Sequence, residues 1–341
     1  MRNPATPGPI VREAGDPRGA PSIPLRVCRL VVFDPSPALT VTVESGPDIH
    51  LHGGGQGFWV ARMAARLGAE VRLCVPLGGE TGQVLSPLLA AEGITVVPVW
   101  VEGANGAYVH DRTSGSRTVI AETASPPLLR HELDDLYGVT LTAGLDADLT
   151  LLTGPRNEGV LPDDTYGRLT ADLGRNDGPV LADLSGEPMR EAVRAGIDLI
   201  KASHEDLEAM GELRGEEIPD IVATARHLRE SGARNVVISH REHAAVAILG
   251  ERALSVSAPR FIPLDAHGAG DSLFAGLGVA LGCGLEIEDA LRIGMAAGAL
   301  NVTRHGLGTG HAREISALAP QVRVEALGDV PSASKEAPAS G

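Results

Sequence analysis

The stretch that decides the fold is Asp265-Ala266-His267-Gly268-Ala269-Gly270-Asp271-Ser272-Leu273-Phe274. It follows a β-like segment, Leu254 to Leu264, which two prolines interrupt. It also opens a run whose apolar residues have helical spacing as far as Gly282. The small residues 268–270 therefore form a turn whose amides face outward at a helix N-terminus. Such amides, together with the helix dipole, stabilise an anion without any side chain, so the sequence predicts an anion-binding turn.

Asp271 stands at this turn, where a carboxylate would repel a bound phosphate unless it has a chemical role. One such role is to take a proton from a hydroxyl that attacks the phosphoryl group held by the turn. The alternative is structural: Asp271 caps the helix, and Gly268 to Gly270 only lets the helix pack closely. These ten residues alone do not decide between the two interpretations.

Composition and charge limit the class of protein. The chain has 341 residues, 43 % of them hydrophobic, which suffices for one large core or two modest ones. A net charge of −15 argues against nucleic acid or an anionic membrane surface as partner. No apolar run is long enough to span a membrane, and the N-terminus lacks the apolar core of a secretory signal. The three cysteines are far apart and have no metal spacing, which indicates buried, reduced thiols in a cytoplasmic protein.

Strand and helix patterns alternate along the middle of the chain, most regularly after residue 149. This alternation predicts a mostly parallel sheet with helices on both faces. Alternating segments at about 36–52 and 94–122 are expected to form a small β lid with one wet face. We predict one domain over residues 27–319, preceded by a disordered tail (1–26) and followed by a loose tail (320–341).

Gly-Ala-Gly-Asp followed by a helix of small apolar residues resembles the C-terminal signature of the PfkB (ribokinase-like) carbohydrate kinases. The resemblance extends from about Val27 to Ala317 and is nearest to the branch of 1-phosphofructokinases and tagatose-6-phosphate kinases. It implies a ribokinase-like three-layer α/β sandwich with a β lid. It also implies transfer of the γ-phosphoryl group of ATP, with Mg²⁺, to an alcohol of a sugar or sugar phosphate. A homodimer formed through the lid is a further expectation.

The resemblance assigns roles at the phosphoryl-transfer end. The amides of Gly268, Ala269 and Gly270 would bind the transferring phosphoryl group, and Asp271 would be the base. Lys201-Ala202-Ser203-His204-Glu205-Asp206 resembles the family's Lys-Pro-Asn-x-x-Glu, with Ser203 for Asn and Asp206 for Glu. In the family this lysine lies near the nucleotide phosphates, and the acid helps to arrange magnesium, often through water. Lys201 is the only lysine outside the C-terminal tail, although chance alone could place it here.

The turn that would lie near the nucleotide differs from the family's sequence pattern. After the strand that ends at Ser239, the family has a Gly-x-x-Gly turn, whereas this chain has His240-Arg241-Glu242-His243. Bulky residues restrict the approach of the backbone to phosphates. Ser239 and Arg241 are therefore candidate nucleotide contacts, with an exposed turn as the alternative, and the two histidines lack an evident third metal ligand. Asn301 resembles a position that borders the adenine pocket.

A glycine loop, Gly53-Gly54-Gly55-Gln56-Gly57, leads into another helix. It does not spell Gly-x-Gly-x-x-Gly, which argues against dinucleotide binding. It resembles the family's N-terminal signature, although Trp59 replaces an Asn and Gln56 stands where the phosphofructokinase branch often has Lys. The resemblance implies that Gly54, Gly55 and Gln56 touch the sugar, and a plain tight turn remains the alternative.

Few residues are candidates for binding the substrate that accepts the phosphoryl group. The family's Asn-Pro-x-x-Asp, whose Asp holds sugar hydroxyls, is replaced by Asp34-Pro35-Ser36-Pro37-Ala38, so Asp34 is the candidate. Thr153 to Val160 ends a strand and resembles the family's Ser-Gly-Ser-Leu-Pro-x-Gly-Val, with Arg156 at a neutral position. The lid arginine of the phosphofructokinase branch has no clear match. Arg156 and Arg117 are the candidates for a phosphate contact, and a solvated surface arginine is the alternative for Arg156.

The sequence thus predicts an ATP-dependent carbohydrate kinase, similar to 1-phosphofructokinase, that acts on a hexose phosphate. A kinase for nucleosides or neutral sugars is the alternative within the same fold, although the aromatic content of 3 % argues against stacking on a base. A non-catalytic ligand-sensing protein is the alternative from another class. The presence of both Asp271 and Lys201 argues against it.

Overall fold

Strands and helices alternate along nearly the whole described chain. The computed structural model describes residues 26–327, apart from residues 47, 116, 214, 216 and 242. The strands are β1 (Arg29–Phe33), β2 (Ala38–Glu44), β3 (Asp48–Gly54), β4 (Glu70–Gly78), β5 (Thr95–Val101), β6 (Gly106–Asp111), β7 (Thr118–Thr123), β8 (Leu149–Thr153), β9 (Val180–Asp183), β10 (Leu199–Ser203), β11 (Asn235–Ser239), β12 (Ala245–Leu249), β13 (Arg252–Ser257) and β14 (Arg323–Ala326). The helices are α1 (Gln56–Arg66), α2 (Gly79–Ala90), α3 (Arg130–Leu145), α4 (Asp164–Gly174), α5 (Gly186–Arg194), α6 (His204–Ala209), α7 (Ile218–Glu230), α8 (Ala269–Gly282), α9 (Ile287–Asn301) and α10 (Ala312–Leu318).

The central sheet has the order β14-β13-β12-β11-β10-β9-β8-β1-β4-β5. The seven strands from β11 to β5 are parallel, and β12, β13 and β14 extend the sheet with antiparallel pairs. Strand β1 shows why helices cover both faces: Val32 packs into the core beneath α1, α8 and α9, whereas Val31 and Phe33 pack into the core beneath α3, α4 and α5. The expected ribokinase-like α/β sandwich is therefore present, with the carboxyl ends of its parallel strands along one edge.

A second sheet of four strands, in the order β3-β2-β6-β7, forms the lid. Its residues alternate between two faces: Thr40 and Tyr108 are paired neighbours and both buried, while Leu51 on the opposite face is exposed. The prediction that residues 94–101 belong to this lid was wrong. Strand β5 instead pairs in parallel with β4 from Arg72↔Thr95 onward, because helix α2 returns the chain to the edge of the central sheet.

The C-terminal part also differs from the prediction. A loose tail was expected from residue 320, but β14 pairs antiparallel with β13, and Leu327 donates its amide to the carbonyl of Ala253. The β-like segment before the turn at Gly268 ends as a strand at Ser257, since the prolines that follow lack an amide for the ladder. The predicted N-terminal tail, except Arg26, and residues 328–341 lie outside the described part of the chain. No helix among the described residues has the length and apolar character needed to cross a bilayer.

Candidate active site

The predicted anion-binding turn lies at the start of α8. Gly268 has a φ of 70°, in the left-handed region that glycine adopts readily, and α8 begins at the next residue. Asn301 holds the turn from below: its carboxamide donates to the carbonyl of His267 at 2.8 Å and accepts from the amide of Gly308 at 2.9 Å. Asn301 is fully buried, so its side chain supports the turn instead of lining the cavity described below, where the adenine pocket was expected.

Asp271 lies in the first turn of α8 and is half-buried. Burial raises the pKa of its carboxyl to about 7, and the negative charges of Asp183 and Asp34 act in the same direction. The charge of Lys201 and a hydrogen bond with Gln56 act against this shift. A carboxylate whose pKa lies near neutrality is suited to accept a proton from an alcohol at physiological pH.

Lys201, in the middle of strand β10, pairs with Asp183, the last residue of β9, and both side chains are buried. The ammonium donates to both carboxylate oxygens of Asp183, at 2.9 and 3.1 Å. Burial lowers the pKa of Lys201, but the charge and hydrogen bonds of Asp183, together with the charges of Asp271 and Asp206, raise it more, so the ammonium form is favoured. A β-carbon on Gly270 would lie 2.8 Å from Lys Nζ, so the positive charge sits directly beneath the turn.

Asp183 was not among the predicted site residues. Its signal was present in the sequence: a short apolar strand, Val180 to Asp183, ends in a carboxylate at the edge where α/β sheets bind ligands. Burial raises the pKa of Asp183, yet both its oxygens face the ammonium, a geometry that favours the ionised pair.

Gln56, the first residue of α1, was predicted to touch the sugar. Its Oε1 atom accepts from the amide of Gly154 at 2.8 Å, which joins the start of α1 to the loop after β8. The glycines before it allow close packing with the lid. A β-carbon on Gly54 would lie 2.4 Å from the hydroxyl oxygen of Thr40, which leaves no room for a side chain.

Asp34 follows β1 and is 1 % exposed. Its Oδ1 atom accepts from the amide of Ser36 at 3.2 Å, whereas Oδ2 has no hydrogen-bond partner among the described residues. Burial raises the pKa of this carboxyl to about 7, although two backbone hydrogen bonds lower it. A β-carbon on Gly55 would lie 3.5 Å from Oδ2, so this oxygen faces the glycine loop. An unpaired buried oxygen of this kind suits a substrate hydroxyl.

Arg156 and Arg117, which were predicted to contact a substrate phosphate, lie against the buried face of the lid. The Arg156 guanidinium lies 4.5 Å from the centre of the Tyr108 ring and forms an ion pair with Glu122 of β7 at 2.9 Å. Arg117 hydrogen-bonds His110 and lies 6.0 Å from the same ring. The structure therefore brings both arginines to one aromatic side chain.

Two lid histidines, His110 and His52, have lowered pKa values, which indicate a positive potential beside the lid arginines. Burial, together with the charges of Arg117 and Arg156, lowers the pKa of His110 to about 4. Burial also lowers the pKa of His52 to about 4, with contributions from Arg62, Arg117 and Arg112. Arg112, which was not predicted, lies 3.9 Å from Asp265, three residues before Gly268. A protein of net charge −15 thus carries a local group of cations near this turn.

A cavity of about 960 Å³ opens on the other side of the turn. Of the predicted nucleotide contacts, its walls include Lys201, Ser203, Ser239 and Arg241. The remaining walls are largely apolar and are formed in part by Ala258, Pro259, Phe261, Leu273, Met295, Gly298, Ala299 and Val302. A cavity with one polar and one apolar end suits a ligand with a charged group and a flat ring.

Three imidazole rings lie together at the polar end of the cavity. The ring of His204 stacks on that of His240 at 4.2 Å, and the ring of His243 lies tilted against that of His240 at 4.6 Å. Arg241 has a φ of 28° and forms an ion pair with Glu205. The turn that replaces the family's glycines is thus filled by rings, and Arg241 already has a partner.

Asp206, the predicted indirect magnesium ligand, is exposed near the N-terminus of α6. Its amide donates to the Ser203 hydroxyl at 3.0 Å, and its carboxylate accepts a hydrogen bond from the same hydroxyl. In the described part of the chain, no group of three or more His, Cys, Asp or Glu residues is placed to hold a metal ion. Magnesium at a phosphate site needs only one or two carboxylates besides water and phosphate oxygens, so the single carboxylate of Asp206 fits it.

These groups can together act on a phosphoryl group. The turn offers amides, the ammonium of Lys201 lies beneath it, and Asp271 lies beside it with a raised pKa. Two binding regions flank this centre: the cavity on one side, and Asp34 with the lid arginines on the other.

Comparison with known proteins also indicates a site for phosphoryl transfer. The profile of the pfkB family of carbohydrate kinases matches residues 29–313. The 1-phosphofructokinase of Bacillus subtilis is 26 % identical over 274 residues, which cover 80 % of this chain and 88 % of that protein. The ATP-dependent 6-phosphofructokinase isozyme 2 of Escherichia coli is 29 % identical over 261 residues, or 74 % of this chain and 82 % of that protein.

Solved structures share the fold. Phosphofructokinase-2 from Escherichia coli in complex with potassium has a TM-score of 0.78 at 23 % identity, with 86 % of this chain and 98 % of that chain covered. Ribokinase from Arabidopsis thaliana, complexed with ribose and ATP, has a TM-score of 0.70 at 21 % identity, with 86 % and 99 % covered. The family profile spans both the glycine loop at Gly54 and the turn at Asp271. The chain belongs to the PfkB family of carbohydrate kinases and is a phosphotransferase that acts on an alcohol group.

Proposed function

We propose that this kinase transfers the γ-phosphoryl group of ATP to a hydroxyl of a hexose phosphate. The observation that carries the choice of a phosphorylated acceptor is the pair of arginines, Arg117 and Arg156, on one side of Tyr108 in a strongly acidic protein. Guanidinium groups bind phosphate through paired, charge-assisted hydrogen bonds. The names of the relatives, which are phosphofructokinases, support the same choice.

In the proposed reaction, Asp271 accepts the proton of the acceptor hydroxyl as its oxygen attacks the γ-phosphorus. The bond from this phosphorus to the β,γ-bridging oxygen breaks, and ADP leaves with the electron pair. The amides of residues 268–270 and the ammonium of Lys201 stabilise the charge that develops on the phosphoryl oxygens. Because these groups are fixed by the α8 turn and by Asp183, they need little reorganisation during the reaction.

The two binding regions take the two substrates. The cavity takes the nucleotide, with its apolar end against the base and Ser203, Ser239 and Arg241 near the ribose or phosphates. Asp206 would hold magnesium through water, and the ion would neutralise the phosphate chain. Asp34 and the loop at Gly54 to Gln56 would hold the sugar, with the lid closing over it to exclude water.

The lid also suggests how the protein assembles. Ile49 and Leu51 on β3 are 58 % and 50 % exposed, and both lie on the face of the lid opposite Thr40. Exposed apolar residues on one face of a sheet favour association. A homodimer through the lid is therefore part of the proposal, as is a cytoplasmic location, where ATP is abundant and the three free cysteines stay reduced.

A screen of ATP consumption tests the proposal. The acceptors are hexose phosphates, free hexoses and nucleosides at equal concentration, with the Asp271→Asn variant as the blank. We expect turnover with phosphorylated hexoses at KM values well below those of the free sugars. A preference for a neutral sugar or a nucleoside would contradict the proposed acceptor class, and equal consumption by the blank would contradict the proposed base.

A further inference from the structure

A buried carboxylate holds the imidazole of His267, the residue just before the turn at Gly268. One oxygen of Asp265, Oδ1, lies 2.6 Å from Nδ1 of His267 and accepts from the backbone amide of the same residue at 3.0 Å. The carbonyl of His267 accepts from the carboxamide of Asn301 at 2.8 Å. These contacts fix both the ring and the backbone of His267 at the start of the turn.

The contact with Asp265 decides which nitrogen of the ring is available to a ligand. An ionised carboxylate only accepts hydrogen bonds, so Nδ1 is the donor and Nε2 remains free of Asp265. The side chain of His267 is 67 % exposed, whereas that of Asp265 is only 7 % exposed. His267 also forms part of the cavity wall, together with Ala269 and Gly270 of the turn and with Lys201. An anchored imidazole therefore faces the cavity beside the groups assigned to the phosphates.

The other oxygen of Asp265, Oδ2, faces a cation of the lid. It lies 3.9 Å from Nη1 of Arg112, whose amide donates to the carbonyl of Val43 on β2 at 2.8 Å. The guanidinium favours the ionised carboxylate, and this carboxylate in turn favours a positively charged imidazole. When a phosphate lies at Nε2, both neighbours of the ring are anionic. The ring is then favoured as the imidazolium, which donates from both nitrogens.

We propose that His267 is a further catalytic residue, whose Nε2 atom donates to an oxygen of the β-phosphate of ATP and stabilises ADP as it leaves. Asp265 is the positioning residue that holds the ring. The inference rests on the proposed function, because it takes the cavity as the site of ATP. As the bond from the γ-phosphorus to the bridging oxygen breaks, its electron pair stays on ADP. The imidazolium stabilises that negative charge and keeps its own proton.

The β-phosphate is the group expected at this ring because the amides of residues 268–270 are assigned to the transferring phosphoryl group. His267 lies one residue earlier on the same cavity wall, so the next phosphate of the chain is the nearest remaining anion. The ring and the turn belong to one segment whose backbone is held by Asp265 and Asn301. Such fixed donors need little reorganisation as charge develops on the leaving group.

His267→Asn is the sharpest test, because the shorter amide keeps a donor for Asp265 but removes Nε2. The kcat should fall roughly tenfold or more, and the Kd of ADP with magnesium should rise by a similar factor, since a charge-assisted hydrogen bond is lost. The Kd of AMP, which has no β-phosphate, should not change. His131→Asn, on the exposed side of α3 and outside the cavity wall, is the matched control and should leave all three quantities unchanged.

Asp265→Asn tests the positioning role. It should weaken ADP binding without affecting AMP binding, because the ring loses the charge that favours the imidazolium. In the double variant with His267→Asn, the two losses of ADP affinity should not add, since Asp265 acts through the ring. Additive losses would show that Asp265 acts by another route and would overturn its assigned role.

Calorimetry of ADP and AMP needs neither turnover nor an acceptor, so it separates this inference from the proposed function. An unchanged Kd of ADP in His267→Asn, or equal losses for ADP and AMP, would overturn the inference. A rise in the KM of the hexose phosphate alone would overturn it as well, because the ring would then contact the acceptor. If the wild type phosphorylated no hexose phosphate, the proposed function would fail instead, while the comparison of ADP with AMP would still decide the role of His267.

Discussion

Lys201 donates to both carboxylate oxygens of Asp183 at 2.9 and 3.1 Å, and the buried pair lies directly beneath the turn at Gly270. The two residues are paired neighbours on adjacent parallel strands, so the sheet register itself brings them together. A charge beneath a turn that must accept an anion is useful only if it stays in place. Asp183 keeps the ammonium ionised and oriented while leaving it close to Gly270.

Lys201→Met should therefore lower both activity and stability. Removing one partner of a buried ion pair typically costs about 3–5 kcal/mol, because the other charge is left without compensation. The double variant Lys201→Met with Asp183→Asn should regain much of that stability without regaining turnover. Urea unfolding and steady-state kinetics of the three proteins check this. A single variant with the stability and kinetic constants of the wild type would show that the pair has neither role.

Asp271→Asn should lower kcat by roughly 10²-fold or more, because the amide cannot accept the proton. Nucleotide binding, measured by calorimetry, should persist.

The activity of the wild type should depend on the charge state of Asp271. Since burial raises the pKa of Asp271 to about 7, and the base must be ionised, this activity should fall as the pH drops through that value. An acid limb near pH 4 would mean that the base is a different group or that Asp271 is more solvated than its surroundings indicate.

Much of the fold could be predicted from residue patterns, and the exceptions have physical causes. Periodicity identifies a strand at 95–101 but cannot say which sheet it joins, since an edge strand of a covered sheet and a lid strand both have one wet face. The short strand Arg323–Ala326 has too few residues to show a pattern and is held by pairing with β13. In both cases tertiary pairing decided what the local sequence left open.

The part of the site formed by one continuous stretch of backbone could be predicted from the sequence. Contacts between side chains far apart in sequence could not be predicted as well. The turn at Gly268 to Gly270 and the aspartate after it form a continuous motif. Gln56 and Gly154 are 98 residues apart in sequence, and only the folded chain brings the Gln56 Oε1 atom to the Gly154 amide. A single sequence contains no signal for such a meeting beyond the position of each residue at a strand end or helix start.

Asp34→Asn should make the stability of the protein less dependent on pH. Burial raises the folded-state pKa of Asp34 to about 7, well above the unfolded value of 3.8. The folded protein thus binds this proton more tightly, so its stability falls as the pH rises from about 4 to about 7, by up to about 1.4 kcal/mol per unit. The asparagine variant lacks this loss.

The Tm difference between Asp34→Asn and the wild type should therefore grow in favour of the variant between pH 5 and pH 8. Asp164→Asn, in the first turn of α4, is a control on an exposed carboxyl. A constant difference across this range would show that Asp34 does not titrate there. If Asp34 also holds a sugar hydroxyl, the same variant should raise the KM of the acceptor.

Arg156→Ala should selectively impair the use of phosphorylated acceptors. A charge-assisted contact is typically worth about 1.5–3 kcal/mol, so its loss should raise the KM for a hexose phosphate roughly tenfold or more. The KM for a free hexose should hardly change. In the structure Arg156 is paired with Glu122, and both side chains are partly exposed, so this pair itself contributes little to stability.

Glu122→Ala supplies the matched control for that prediction. It frees the Arg156 guanidinium from its carboxylate partner while leaving its position over the Tyr108 ring. If Arg156 binds the acceptor phosphate, the two variants should have opposite effects on a hexose phosphate: a higher KM without the arginine, and an equal or lower KM without the glutamate. Steady-state kinetics with one phosphorylated and one free hexose decide between the outcomes. Equal effects of Arg156→Ala on both acceptors would show that Arg156 does not read a phosphate, and a neutral sugar would become the better assignment for the site.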